Sequence, residues 1–180
     1  MRKYKVLFAD LDGTLIETVS GDTFPNGIWD MRFRFDVLDA IKKLAPDYIF
    51  IVTNQGGIEK GFVKEENFID KIKYITSAIS EYTNKDKLLI GYTYCASNDK
   101  YDKQRKPNTG MLSYCLECHT IMNIIRKEET LMIGDASGLE GQFSDSDKKT
   151  AENFGIDYLD VEDFVKGMRY ENNQGRQTSA

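Results

Sequence analysis

Histidine is nearly absent from this chain, at one residue in 180, and cysteine numbers only three. Three thiols cannot all pair, and a chain of this length does not need stapling, so a disulfide scaffold is excluded and a reducing, cytoplasmic setting is expected. No segment approaches the ~18 uninterrupted apolar residues of a transmembrane helix. The opening MRKYKVLFAD has a basic flank, but its apolar run stops at Asp10 and is too short for a signal peptide. An excess of positive charge is missing too. With 24 Lys and Arg against 29 Asp and Glu, the net charge is −5, which excludes a protein whose whole surface coats nucleic acid but not a local basic strip. What remains is an ordinary globular balance, 41% hydrophobic and 29% charged, with enough apolar material for one domain core. Disorder and collagen-like architecture are thereby excluded.

Short apolar runs alternate with longer periodic stretches. Residues 3–9, 47–52, 87–94, 129–134 and 155–160 are rich in Val, Ile, Leu, Phe or Tyr and have strand length. Between them, 36–45, 64–82, 109–123, 147–154 and 161–168 read as helices. In the second of these, Phe68, Ile72, Ile75 and Ile79 recur at four, three and four, which is one apolar helix face. Strands separated by helices require parallel crossovers, so the expected fold is a doubly wound, Rossmann-like α/β sheet with helices on both faces. Residues 13–35 are too irregular for a helix. One domain is expected over 1–170, followed by a flexible tail over 171–180, where ENNQGRQTSA carries no large apolar side chain.

Chemistry concentrates at the predicted strand ends. Asp10-Leu11-Asp12-Gly13-Thr14 follows the first strand; in extended chain i and i+2 share a side, so both carboxylates can face one site. Gly13 permits a sharp turn there. Alone, this pattern is equally a solvated turn. Thr53-Asn54-Gln55 ends the second strand, Lys106-Pro107 precedes the third long helix, Gly134-Asp135 ends the fourth strand and Asp147 opens another helix. Ligands of open α/β sheets gather at the carboxyl ends of strands, where all of these lie. Asp147 is also an N-cap candidate.

This ordered set resembles the haloacid dehalogenase superfamily of phosphotransferases across residues 3–168. The resemblance implies that Asp10 is the nucleophile toward phosphorus and Asp12 the general acid and base. It implies that Thr53 and Lys106 hold phosphoryl oxygens, and that Mg²⁺ is bound by Asp10, Asp135 and the backbone carbonyl of Asp12. Asp147 and, less directly, Asp145 fall on the metal side. The chemistry asks for such a set. A carboxylate nearing a phosphate is repelled by about 4 kcal/mol per charge pair at ~4 Å and an effective dielectric of ~20, and a divalent cation with a lysine offsets that.

The 41 positions from Asp12 to Thr53 and the 53 from Thr53 to Lys106 leave no room for a large cap domain. An uncapped site suits a phosphate protruding from something larger. DLDGTLIETVSGDTFP (10–25), Trp29 with Arg32, TNQGGIEKG (53–61), RKPNTGM (105–111) and GDASG with FSDSD further resemble the polynucleotide 3′-phosphatase family. That resemblance implies removal of a 3′-phosphate from DNA or RNA ends, with a role in DNA repair, and Asn54, Gln55, Arg105 and Arg32 as substrate-binding candidates. Leu139 and Gln142 depart from its usual arginine and acidic residue. A kinase would need GxxxxGK[ST]; Gly56 to Gly61 has the spacing, but Phe62 stands in place of the lysine. A small sugar or nucleotide phosphate is the alternative substrate, and a non-catalytic phosphate-end-binding protein the third reading.

Three further features admit two readings each. Lys100, Tyr101, Lys103, Arg105 and Lys106 form a basic strip that either tracks a strand or is a solvated loop around Lys106. Arg32 and Arg34 alternate with Phe33 and Phe35, either as a substrate-facing flap or with the rings packed and the arginines directed outward. Cys115, Cys118 and His119 have the CxxCH pattern, but they fall in a predicted helix with no axial partner in view, and a structural role is expected. Relatives acting on sugar or histidinol phosphates place zinc ligands before the KP motif; residues 96–106 contain no Cys or His.

Overall fold

The VLFA run of Val6–Ala9 (β1) is buried at all four positions, as a strand covered on both faces must be. In the computed structural model, which describes residues 4–22, 25, 27–119 and 125–177 (side chains through 169), it lies at the middle of a five-stranded sheet. Chain order continues through Ile16–Thr18 (β2), Met31–Phe33 (β3), Phe35–Leu44 (α1), Tyr48–Asn54 (β4), Gly56–Glu59 (α2) and Glu65–Thr83 (α3). Leu89–Cys95 (β5), Gly110–Cys118 (α4), Thr130–Gly134 (β6), Ser146–Phe154 (α5), Asp157–Asp160 (β7) and Val161–Gln177 (α6) complete it. The main sheet runs β5-β4-β1-β6-β7, entirely parallel, so the doubly wound fold is as expected. Val6 of β1 aligns with Tyr48 on one side and Thr130 on the other. At one edge that register carries β4 three residues and β6 one residue past the end of β1.

Side chains alternate across the sheet and build two cores. Leu7, Ile49, Ile51 and Ile133 face α1, α3 and α6, where Ile41, Phe68, Ile75 and Phe164 are buried. Val6, Phe8, Phe50 and Met132 face α4 and α5, meeting Met111, Leu112, Cys115 and Ala151. The rings of Phe8 and Phe50 lie 5.6 Å apart. Each such aromatic side chain contributes about 1.5–3 kcal/mol by its removal from water. The apolar stripe of α3 is buried as predicted, and the helix ends at Asn84 in the left-handed conformation at φ 46°.

Four features differ from the sequence reading. Residues 13–35 contain a small antiparallel pair, β2 with β3, registered Ile16↔Phe33 and Thr18↔Met31. Three-residue strands leave little periodicity to detect. The four-residue α2 was not foreseen either. Of the helix expected over 109–123, α4 occupies Gly110–Cys118, and 120–124 lie outside the described residues. Finally, α6 extends to Gln177, where a flexible tail was expected from 171. Val161, Phe164, Val165 and Met168 anchor its first turns, and no proline follows to stop propagation. Residues 178–180 lie outside the described residues.

Candidate active site

The Asp10 backbone N–H donates to the Ile133 carbonyl at 3.1 Å, extending the β1–β6 ladder one residue past β1. The residue is 8% exposed. The chain then turns sharply: Gly13 takes φ +83° and donates to Ile16 at 2.8 Å. A Cβ at Gly13 would lie 2.1 Å from Asp135 Oδ2, and one at Gly134 2.1 Å from Asp147 Oδ2. Two glycines thus clear the space into which the carboxylates of Asp10, Asp135 and Asp147 converge, with ligand atoms all within 4.8 Å of one another.

Lys106 closes this cluster from the loop after β5. Its Nζ donates to Asp10 Oδ1 at 2.5 Å, Asp147 Oδ1 at 2.7 Å and the Val52 carbonyl at 2.9 Å, which uses all three of its hydrogens. Asn54 fixes the lysine's main chain: its amide donates to the Lys106 carbonyl and accepts from the Lys106 N–H, both at 3.0 Å. Asp147 Oδ2 accepts from Ala136 N–H at 3.2 Å. It is the second residue of α5; Asp145 holds the N-cap position instead, so Asp147 is not the cap.

Burial pushes the Asp10 carboxyl well up; Lys106 opposes this, and Asp147 and Asp135 add to it. Asp135 is pushed up to about 6, by burial first and then by Asp147. Burial alone would favour neutral Lys106, but Asp10 and Asp147 outweigh it and hold the ammonium charged. Three carboxylates against one ammonium leave a formal excess of two negative charges among hard oxygen donors. That donor set, in a cradle that either glycine's Cβ would fill, fits a divalent cation such as Mg²⁺.

Asp12 sits beside this cluster. Gln55 Nε2 donates to Asp12 Oδ2 at 2.7 Å and to Thr53 Oγ1 at 3.0 Å, linking the two. Asp12 Oδ1 is buried with no hydrogen bond, and its nearest cation is Lys71 Nζ at 3.8 Å. Lys71 escaped the sequence reading, although a signal was present: it lies three residues after Phe68 and four before Ile75, a lysine on an apolar stripe. A cavity of about 110 Å³ opens next to Asp12, walled by Gly13, Ile16, Glu17, Thr18, Asp22 and Pro25.

Other candidates are placed elsewhere or already engaged. Arg105 donates to the Ser97 carbonyl at 2.6 Å, and exposed Arg32 pairs with Glu17 at 2.9 Å across the β2–β3 pair. Arg34 does not point outward: it donates to the Gly13 carbonyl at 3.2 Å and pairs with Asp36 and Glu162. Phe33 packs on the core, while Phe35 and Trp29 are exposed. Asp145 pairs with Lys149 at 2.6 Å and stands apart from the carboxylate cluster. Cys115 belongs to the second core, where burial pushes its thiol up to about 12; Cys118 is exposed, and the His119 ring lies 5.1 Å from that of Phe50. Behind Asp135, Ser137 Oγ donates to Asp160 Oδ2 at 2.6 Å and also meets Tyr158 OH at 2.6 Å, while Gln142 donates to the same Asp160 oxygen at 2.7 Å. Among the described residues no helix is long and apolar enough to cross a membrane.

Comparison with known proteins places the chain in a family. The sequence model of the polynucleotide kinase 3 phosphatase family matches residues 5–165. An uncharacterized 20.8 kDa protein of Autographa californica nuclear polyhedrosis virus is 29% identical over 92% of this chain and 87% of its own length. A bifunctional polynucleotide phosphatase/kinase of Schizosaccharomyces pombe is 32% identical over 94% of this chain; the match spans 40% of that larger protein. A D-glycero-beta-D-manno-heptose-1,7-bisphosphate 7-phosphatase of Haemophilus influenzae is 29% identical over 73% of this chain and 71% of its own. Among solved structures, the D,D-heptose 1,7-bisphosphate phosphatase of B. bronchiseptica, complexed with magnesium and phosphate, superposes with a TM-score of 0.62. At 17% identity, covering 93% of this chain and 99% of that one, it shows a shared fold.

Proposed function

Because the chain belongs to the polynucleotide kinase 3 phosphatase family, a branch of the haloacid dehalogenase phosphatases, we propose that it removes 3′-phosphates from nucleic-acid ends with the aid of Mg²⁺. The observation that carries the chemistry is Lys106 bonded to both Asp10 and Asp147 within a carboxylate cluster shaped for a cation. The lysine fixes the rotation of the Asp10 carboxylate and brings positive charge to where phosphoryl oxygens gather. Asp10, Asp135 and the Asp12 carbonyl, with Asp147 alongside, would hold Mg²⁺, which would supply charge neutralisation for the transferring group.

An Asp10 oxygen attacks phosphorus; the O–P bond forms as the bond from phosphorus to the 3′ oxygen breaks. Asp12 gives its proton to the departing 3′ oxygen. Gln55 donates to Oδ2, which leaves Oδ1, without a hydrogen bond within the protein, as the oxygen that exchanges that proton. Water then attacks the aspartyl phosphate, Asp12 takes the proton and Asp10 is released. Thr53 holds a phosphoryl oxygen, and Lys106, whose three hydrogens go to Asp10, Asp147 and the Val52 carbonyl, stabilises the transferring group through its charge.

A nucleic-acid end is favoured as substrate because only the β2–β3 pair, α1 and β4 separate Asp12 from Thr53, and only α2, α3 and β5 lie before the Lys106 loop. Among the described residues no cap domain closes over the site. A heptose-type phosphate remains the second reading, on the strength of the relatives that act on such sugars; the loop over 96–106 has no Cys or His for the zinc that some sugar-phosphate enzymes hold there. The test compares a 3′-phosphorylated oligonucleotide, its 5′-phosphorylated counterpart and a heptose bisphosphate, each with Mg²⁺ and with chelator. The 3′ end is turned over fastest, only with metal, and not by Asp10→Asn. A higher kcat/KM for the sugar, or no preference for the 3′ end, rejects the substrate assignment. Undiminished release by Asp10→Asn rejects the nucleophile.

A further inference from the structure

On the far side of the Lys106 loop lies a cleft of about 440 Å³, lined by Tyr101, Lys103, Asn108, Thr109, Gly110 and Asn153. It shares no lining residue with the phosphate site. Tyr101 is 78% exposed, although its loop is tightly constrained. The Tyr101 N–H donates to Asp99 Oδ1 at 2.9 Å, the Gln104 N–H to Asp102 Oδ1 at 2.8 Å, and Asn108 Nδ2 to the carbonyls of Lys100 and Asp102. Asn153 Nδ2 ties α5 to the Pro107 carbonyl at 3.0 Å, fixing the opposite wall. A large ring held in water on a pinned loop is a platform rather than a packing residue. Lys100 Nζ stands 5.0 Å from its centroid, and among the described residues neither Lys100 nor Lys103 forms an ion pair. Of the basic strip in the sequence, Arg105 and Lys106 are engaged inside the protein, so these two lysines are its outward members.

We propose that this cleft is a second contact for a single-stranded nucleic-acid substrate: a base stacks on Tyr101 and Lys103 meets a backbone phosphate, on the 5′ side of the nucleotide whose 3′-phosphate enters the Asp10 site. This rests on the reading of the protein as a nucleic-acid phosphatase. The chemistry matches the recurrent pairing of an aromatic platform with cations, and a single strand is required because only an unstacked base offers its face. Five residues separate Tyr101 from Lys106, at most about 18 Å of chain. At about 3.4 Å per stacked nucleotide, a hexanucleotide is long enough to reach from one site to the other.

The test measures kcat/KM for a hexanucleotide 3′-phosphate and for thymidine 3′-phosphate, with Mg²⁺, in the parent protein, Tyr101→Ala, Tyr101→Phe and Lys103→Ala. Tyr101→Ala loses about 5- to 100-fold on the hexanucleotide, mainly through KM, while Tyr101→Phe keeps most of it. Lys103→Ala also weakens the hexanucleotide and lowers the logarithmic salt slope by about 0.7. Thymidine 3′-phosphate is unaffected by either. Equal losses on both substrates, or a hexanucleotide preferred by the parent yet insensitive to Tyr101, overturn the cleft assignment. If the parent shows no advantage for the hexanucleotide, the nucleic-acid reading itself has failed, and the cleft assignment with it.

Discussion

Replacing Lys106 with methionine tests whether charge organises this site. Methionine fills the same slim volume but removes the ammonium, leaving Asp10, Asp135 and Asp147 within 4.8 Å of one another and the Val52 carbonyl without its donor. At that separation and an effective dielectric of ~20, each ionised pair repels by about 3.5 kcal/mol. Breaking a buried ion pair from one side typically costs about 3–5 kcal/mol, a fifth or more of a domain's ~5–15 kcal/mol. The penalty depends on pH. Burial already pushes the Asp10 and Asp135 carboxyls up and loss of the lysine pushes them further, so protonation relieves part of the repulsion at pH 5, whereas at pH 8 it is expressed more fully. Mg²⁺ offsets it by replacing the missing positive charge. Urea denaturation at pH 5 and pH 8, with and without Mg²⁺, reads all four conditions. Lys106→Met is expected to lose several kcal/mol at pH 8 without metal and much less in the other three. A loss that is the same at both pH values, or indifferent to Mg²⁺, refutes the electrostatic account and leaves only a packing role for the lysine.

Three other perturbations probe the same geometry. Gly13→Ala places a methyl 2.1 Å from Asp135 Oδ2 and forces alanine to φ +83°, a strain of about 1–2 kcal/mol; the Mg²⁺-induced rise in Tm disappears and turnover falls at least 100-fold. With Asp135 pushed up to about 6 from an ordinary 3.8, the metal-free native state binds more protons than the unfolded chain between those values. Stability falls as pH rises through that window, by about 3 kcal/mol for the two-unit displacement, and thermal melts from pH 4 to 7 show it. Mg²⁺ affinity, followed by calorimetry, weakens below pH 6 as protons compete. Gln55→Leu removes the donor shared by Asp12 and Thr53; kcat drops about tenfold or more while the urea midpoint moves little, and an unchanged kcat shows that Asp12 is positioned without it.

The strands and the order of the acidic motifs were legible because each rests on local pattern: β-branched runs for the sheet, and acidic or lysine residues at the run ends. The i, i+2 spacing placed Asp10 and Asp12 together at the end of β1, and parallel crossovers delivered Asp135 and Asp147 to the same edge. What escaped depends on tertiary partners. The β2–β3 pair joins residues 15 positions apart through three-residue strands, too short to carry a period. Lys71 stands on the apolar stripe of α3, and only the fold brings it within 3.8 Å of Asp12. Asn54, Gln55 and Arg105 are the right residue types for phosphate contacts, yet in the folded chain Asn54 and Arg105 bond the loops around Lys106 and Gln55 bonds Asp12. No single-residue propensity distinguishes those fates.

The two hydrogen bonds between Asn54 and Lys106 have a mechanical consequence. Lys106 arrives on a loop from β5, an edge strand and so among the first parts of the sheet to fray, yet its main chain is moored to the tip of β4, adjacent to the innermost strand. Partial opening at the periphery therefore does not cast the lysine adrift, and loss of turnover and loss of fold share one midpoint in denaturant. Cutting that mooring with Asn54→Ala separates the two curves, inactivation coming first, so two hydrogen bonds between loops govern how long the enzyme outlasts mild stress.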